Sequence, residues 1–181
     1  MGAHRRFSII WTTIVAATSI CLCWVPLFNL LAFEFCFALG IPISVGAGFL
    51  GVRLRDGRPL SAVPFRYGAM VCVATFLTAL IPITINAARV KNCDYLEGLL
   101  IFALFPMSGA LIAFTWGLAI GRFGRKKGRI LWPLVFFGSV ALATYRFFAF
   151  PPVDLFNSFL GYFPGALYDD VFLIDDRLIW S

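Results

Sequence analysis

LAFEFCFALGIPISVGAGFLGV, residues 31–52, is a run of 22 residues with one charged side chain, Glu34. A helix rises about 1.5 Å per residue, so this run reaches about 33 Å, and the hydrocarbon core of a bilayer is about 30 Å thick. As a single helix the stretch is long enough to cross a membrane. Four more runs of this kind flank it, at 7–27, 67–85, 99–120 and 130–150. The first is divided from 31–52 only by Pro26, Leu27, Phe28, Asn29 and Leu30, where proline lacks a backbone donor and asparagine favours a turn. This predicts a tight helical hairpin, because one unbroken helix there would be too long to be accommodated by tilting.

Composition excludes a water-soluble domain. Of the 181 residues 61% are hydrophobic and 13% charged, against about 25% charged in soluble domains, and the mean hydropathy is +0.90. The net charge of +6 is not gathered on one soluble face, which argues against nucleic acid as a partner. The basic residues fall instead in short loops. Eleven of them, Arg5, Arg6, Arg53, Arg55, Arg58, Arg66, Arg122, Arg125, Lys126, Lys127 and Arg129, share one side of a five-helix arrangement, and four, Arg89, Lys91, Arg146 and Arg177, share the other. Cytoplasmic loops are enriched in Lys and Arg. The sequence therefore reads as an all-α integral membrane protein of about five transmembrane helices over residues 1–150, with its N-terminus in the cytoplasm and its C-terminus outside. Residues 151–181 then form a short extracytoplasmic interfacial tail. The run at 7–27 exceeds the apolar core of a cleaved signal peptide and stays as a first helix. Short loops and a basic inner side suit a bacterial inner membrane.

In lipid there is little hydrophobic force between helices, so small residues that admit close backbone approach become the contact surfaces. Gly109, Ala113, Gly117 and Gly121 recur at four-residue steps on one face, as do Gly40, Ser44 and Gly48. Packing within the chain is the expected use of both rows, with a homo-oligomer contact as the rival. Pro42, Pro82, Pro106 and Pro133 lie within spans and are expected to kink or loosen them.

Ionisable groups at membrane depth are functional candidates by default. Glu34 and Arg146 both fall near the outer level and are expected to form an anchoring polar pair, with substrate contact as the alternative. No catalytic constellation emerges. His4 is the single histidine and sits at the cytoplasmic tip, and Cys21, Cys23, Cys36, Cys72 and Cys93 form no CxxC pair and suit packing within apolar spans. The acidic pairs Asp169 with Asp170 and Asp175 with Asp176 lack the spacing of a calcium loop and read as a solvated edge. No cofactor is implied, since there is no Walker loop or GxGxxG element.

The tail, PPVDLFNSFLGYFPGALYDDVFLIDDRLIWS, is too short for a core of its own and too apolar for a disordered segment. Phe156, Phe159, Tyr162 and Phe163 are expected at the outer interface, on the chain's own helices or on a partner. The reading that follows is a non-enzymatic anchor or scaffold for an extracytoplasmic protein partner, working through this tail and the loop at 89–98. A small permease or transporter subunit is the alternative. It would need a water-filled cavity faced by Thr75, Thr78, Ser108 and Thr115, with Asn86 near its outer mouth. The chain also suits the membrane portion of a larger architecture.

Overall fold

The computed structural model describes residues 2–90, 95–149 and 155–163. Among them run the helices α1 (Gly2–Leu22), α2 (Phe33–Arg55), α3 (Phe65–Ala87), α4 (Tyr95–Phe102), α5 (Ser108–Gly121) and α6 (Arg125–Ala149). A two-stranded antiparallel hairpin follows, β1 (Leu155–Asn157) with β2 (Gly161–Phe163). α4 and α5 are joined by a π-helical turn, Ala103–Met107, around Pro106. Proline cannot donate to the carbonyl one turn back, and the wider turn takes up that lost bond while the rod continues.

Four helical rods are long and apolar enough to cross a membrane: Phe33–Arg55, Phe65–Ala87, Tyr95–Gly121 and Arg125–Ala149. α1 has 21 residues but lies outside that set, because Arg5, Arg6 and the hydroxyls of Ser8, Thr12, Thr13, Thr18 and Ser19 dilute its apolar content. The side chains turned outward, among them Ile9, Ile14, Met70, Ile81, Leu100, Leu134, Phe137 and Phe148, are large, apolar and exposed. Such a surface suits lipid and would be costly in water.

The helix connections are less tight than the sequence predicts. α1 ends at Leu22 and α2 begins at Phe33, with a string of turns between them. One closes on Phe28, whose N–H donates to the Val25 carbonyl at 3.1 Å. It holds Leu27 at a left-handed φ of 78°, a position where glycine or asparagine would be easier. The turn is pinned from α3, where the buried Asn86 donates from Nδ2 to the Asn29 carbonyl at 2.6 Å.

α2 is the axis of the bundle. α1 and α6 each lay a tryptophan on it: Trp11 Nε1 donates to the Pro42 carbonyl and Trp132 Nε1 to the Val45 carbonyl, both at 3.0 Å. Gly46 and Gly48 make room for them, since a Cβ at either position would overlap the Trp11 or the Trp132 indole. α5 lies along α2 so closely that a Cβ on Gly117 would be 2.8 Å from the Gly48 Cα, and one on Gly51 2.7 Å from the Leu118 nitrogen.

Contacts at the helix ends bring the basic segments together. Arg53 of α2 lies 4.0 Å over the Phe7 ring of α1. Asp56, just past α2, accepts from the Arg125 N–H at 3.0 Å, where a carboxylate favours the start of α6. Arg55 donates from Nη1 to the Leu118 carbonyl of α5 at 3.1 Å. The N-termini of α1, α3 and α6 and the C-termini of α2 and α5 therefore share a basic end.

Candidate functional site

The hairpin β1–β2 is inserted among the chain's own helices. The tip is made by Asn157, Ser158, Phe159 and Leu160, between β1 and β2, whose register pairs Leu155 with Phe163, Phe156 with Tyr162 and Asn157 with Gly161. Asn157 is 4% exposed, and its side chain organises the tip. Oδ1 accepts from the Phe159 N–H at 2.9 Å and from the Leu160 N–H at 3.3 Å, while Nδ2 donates to Ser139 Oγ on α6 at 3.3 Å. Ser139 in turn donates to the Phe136 carbonyl at 2.7 Å. Ser44, near the middle of α2, donates to the Phe159 carbonyl at 2.8 Å.

The depth of this tip matters. Non-helical backbone is tolerated at the level of a membrane core only where protein surrounds it and its polar groups are satisfied. Both conditions are met at Phe159, which is 3% exposed and has its N–H and its carbonyl both bonded. Its ring packs edge-on to Trp132 at 5.4 Å and tilted against Phe136 at 5.6 Å, and such aromatic pairs add about 0.5–1.5 kcal/mol each beyond the area they bury. Leu160 is buried too, with a methyl 3.8 Å from where a Cβ on Gly40 would be. A Cβ on Gly109 would collide with the Phe159 carbonyl.

The two small-residue rows thus face a shared space. Gly48 and Gly117 touch through backbone, Gly121 lies against Arg55 and Val52, and Ala113 is fully buried. Gly40, Ser44 and Gly109 border the hairpin, and a Cβ on Gly109 would also come 3.2 Å from Ser44 Oγ of α2.

Several sequence expectations need correction. Of the three places expected for Phe159 the structure takes the chain's own helices: its ring packs on α6, and Ser44 and Gly109 leave a gap that its backbone fills. Phe156, Tyr162 and Phe163 are placed in the strands by their backbone. Residues 164–181, with the two Asp pairs, lie outside the described set, as do Lys91 and Cys93. Glu34 and Arg146 are not joined by an ion pair. Glu34 is in the first turn of α2 and Arg146 in the last turn of α6, so each charge complements the dipole of its own helix without the other. Of the remaining cysteines, Cys23, Cys36 and Cys72 are buried and Cys21 is exposed.

The polar residues that a permeation path would need do not converge. Thr75 meets Thr12 across α1 and α3 at 2.9 Å. Ser108 and Thr115 are exposed and bond back to carbonyls of their own helix, Leu104 and Phe105 for the first and Ile112 for the second. Thr78 bonds back to Ala74, and Asn86 is committed to the turn at Asn29.

Sequence reasoning passed over Asn157, Ser139, Trp11 and Trp132. The available signal was local for the first: an Asn followed by Ser and, three and four positions on, by Leu and Gly is a turn former whose amide can close on its own backbone. For the tryptophans it lay in Gly48, a member of the small-residue row whose open face takes Trp132, and in Gly46 two positions before it, whose open face takes Trp11.

At the basic end, His4 is held below its ordinary value of 6.5 by partial burial and then by Arg58, with Arg125 and Arg53 adding to it. Among the described residues no three His, Cys, Asp or Glu side chains gather as a metal site. No known protein family, curated protein or solved structure matches this chain.

Proposed function

We propose that the chain is a non-enzymatic membrane protein of five spans, α1 included, that holds an extracytoplasmic partner. The single observation behind this reading is the inserted hairpin: the space between α2, α5 and α6 is filled by Phe159, Leu160 and Asn157. A body closed by its own chain suits an anchor better than a conduit, and the dispersed hydroxyls lend the same support. Eleven basic residues at one end, under the positive-inside rule, put the N-terminus in the cytoplasm and the tail outside. That arrangement suits a bacterial inner membrane. The partner-facing surface is then the outer segment at 89–98, whose last residues open α4, together with residues 164–181, since 155–163 serve the bundle itself.

The cut that tests this falls after Phe163, leaving the hairpin in place. The shortened chain is expected to keep its melting temperature in mild detergent and to lose the proteins that co-purify with the full chain. Retention of the same proteins at the same yield would remove the anchoring role from 164–181. A reporter active only in the cytoplasm should work when fused after Lys127 and fail after Ser181, and the reverse at either site would reject the five-span arrangement.

A further inference from the structure

The parallel pair α1 and α3 leaves a lateral groove of about 420 Å³ that begins at Arg5. We propose that this groove holds one acyl chain of an anionic phospholipid from the cytoplasmic leaflet, with the lipid phosphate at Arg5. The walls are apolar, with Ile9 and Ala16 from α1 and Val71 and Ala74 from α3. Of the hydroxyls that border it, all but the exposed Thr13 are turned to one another, across to Thr75 or to their own helix: Ser8 with Tyr67 at 3.1 Å, Thr12 with Thr75 at 2.9 Å, and Thr78 to the Ala74 carbonyl at 2.7 Å. A polar solute would find few free groups there, whereas a hydrocarbon chain needs none.

Length and charge select the occupant. Arg5 to Ala16 along α1 spans about 16 Å at 1.5 Å per residue, and one leaflet of hydrocarbon is about 15 Å deep. The groove thus runs from headgroup level to about the bilayer midplane, the reach of a single acyl chain. Arg5 is exposed and forms no ion pair among the described residues, and the basic end around it has Asp56 committed to the start of α6. An anionic headgroup supplies the missing charge, and a zwitterionic one supplies it less well.

The inference uses the span placement proposed above but not the anchoring role, and lipid binding is read independently of any co-purifying protein. Native mass spectrometry of the full chain, delipidated and titrated with dioleoylphosphatidylglycerol or dioleoylphosphatidylcholine, counts bound lipid directly. The wild type is expected to retain one phosphatidylglycerol in preference to phosphatidylcholine. Arg5→Gln should weaken that retention about fivefold, the effect of about 1 kcal/mol per basic residue near a lipid surface, and should erase the headgroup preference. Ala74→Trp, at an exposed position where the ring can lie in the groove without disturbing the core, should remove both lipids at unchanged melting temperature. Arg6→Gln, off the groove, should change neither. The proposal is overturned if Ala74→Trp keeps its lipid, if Arg5→Gln and Arg6→Gln lose it equally, or if millimolar inorganic phosphate displaces it, which would mark Arg5 as a free-anion site.

Discussion

The α2–α5 seam and the α1–α3 seam are both parallel helix pairs, yet the first closes on glycine backbones and the second on hydroxyl side chains. Along α2 and α5 the helices touch where Gly48, Gly51 and Gly117 have no Cβ to hold them apart. Along α1 and α3 a ladder of hydroxyls links the pair: Ser8 to Tyr67, Thr12 to Thr75, and Ser19 to the Ala79 carbonyl at 2.7 Å. Glycine contacts leave no tolerance for added volume, whereas hydroxyl contacts span a wider gap and can be lost singly. The close seam is the one that borders the buried hairpin. The open seam is the one that leaves a groove.

Substitution at Gly117 should separate the two seams most sharply. Gly117→Leu forces a branched side chain into the Gly48 backbone, which cannot move without displacing α2, and the expected cost is more than about 3 kcal/mol. Size-exclusion profiles in mild detergent should show aggregate in place of the monodisperse protein. Gly138→Ala, which meets nothing within 4 Å, should be neutral or gain up to about 1 kcal/mol. Equal behaviour of the two variants would mean that the α2–α5 contact does not hold the bundle.

The hairpin comes next in size. Phe159→Ala removes a ring buried against Trp132 and Phe136 and should cost about 3 kcal/mol, read as a fall in melting temperature with faster proteolysis in the tail. Resistance equal to wild type would move the hairpin out of the bundle. Ser44→Ala leaves the ring in place but strips the Phe159 carbonyl of its donor, for a loss of about 1–3 kcal/mol. Its melting temperature should therefore fall between those of Phe159→Ala and wild type.

The smallest effect is expected on the hydroxyl ladder. Thr12→Val keeps shape and removes the bond to Thr75, while Thr75 retains its own bond to the Val71 carbonyl at 2.9 Å. Interhelical bonds of this kind average about 0.6 kcal/mol in a membrane, so a melting shift near the resolution of the measurement is predicted. A loss as large as that of Ser44→Ala would show that the two seams are not different in kind.

Legibility followed the range of the interaction. Spans could be read because apolar length is a local property, and their bounds differ from the observed helices by a few residues at each end. α1 is the informative exception. Its run of 7–27 looked like its neighbours, yet three of the hydroxyls that make it less apolar than the other rods, Ser8, Thr12 and Ser19, are the ones that tie it to α3. The turn at Pro26 and Asn29 was visible from residue type, but its anchoring by Asn86, 57 positions away, was not.

Apolar length, basic asymmetry and the four-residue spacing of small side chains are written in the sequence itself, because each depends on residue type and on the geometry of one helix. Which small residues meet a helix and which admit the hairpin was decided only in three dimensions. Ser44 and Phe159 are 115 positions apart, and no local pattern distinguishes a glycine that faces backbone from one that faces a returning strand. The tail had enough apolar surface to seek burial, and that much was readable. The destination of residues 157–160 depended on the gap that α2, α5 and α6 leave when they pack, a property of the assembled helices and of none of them alone.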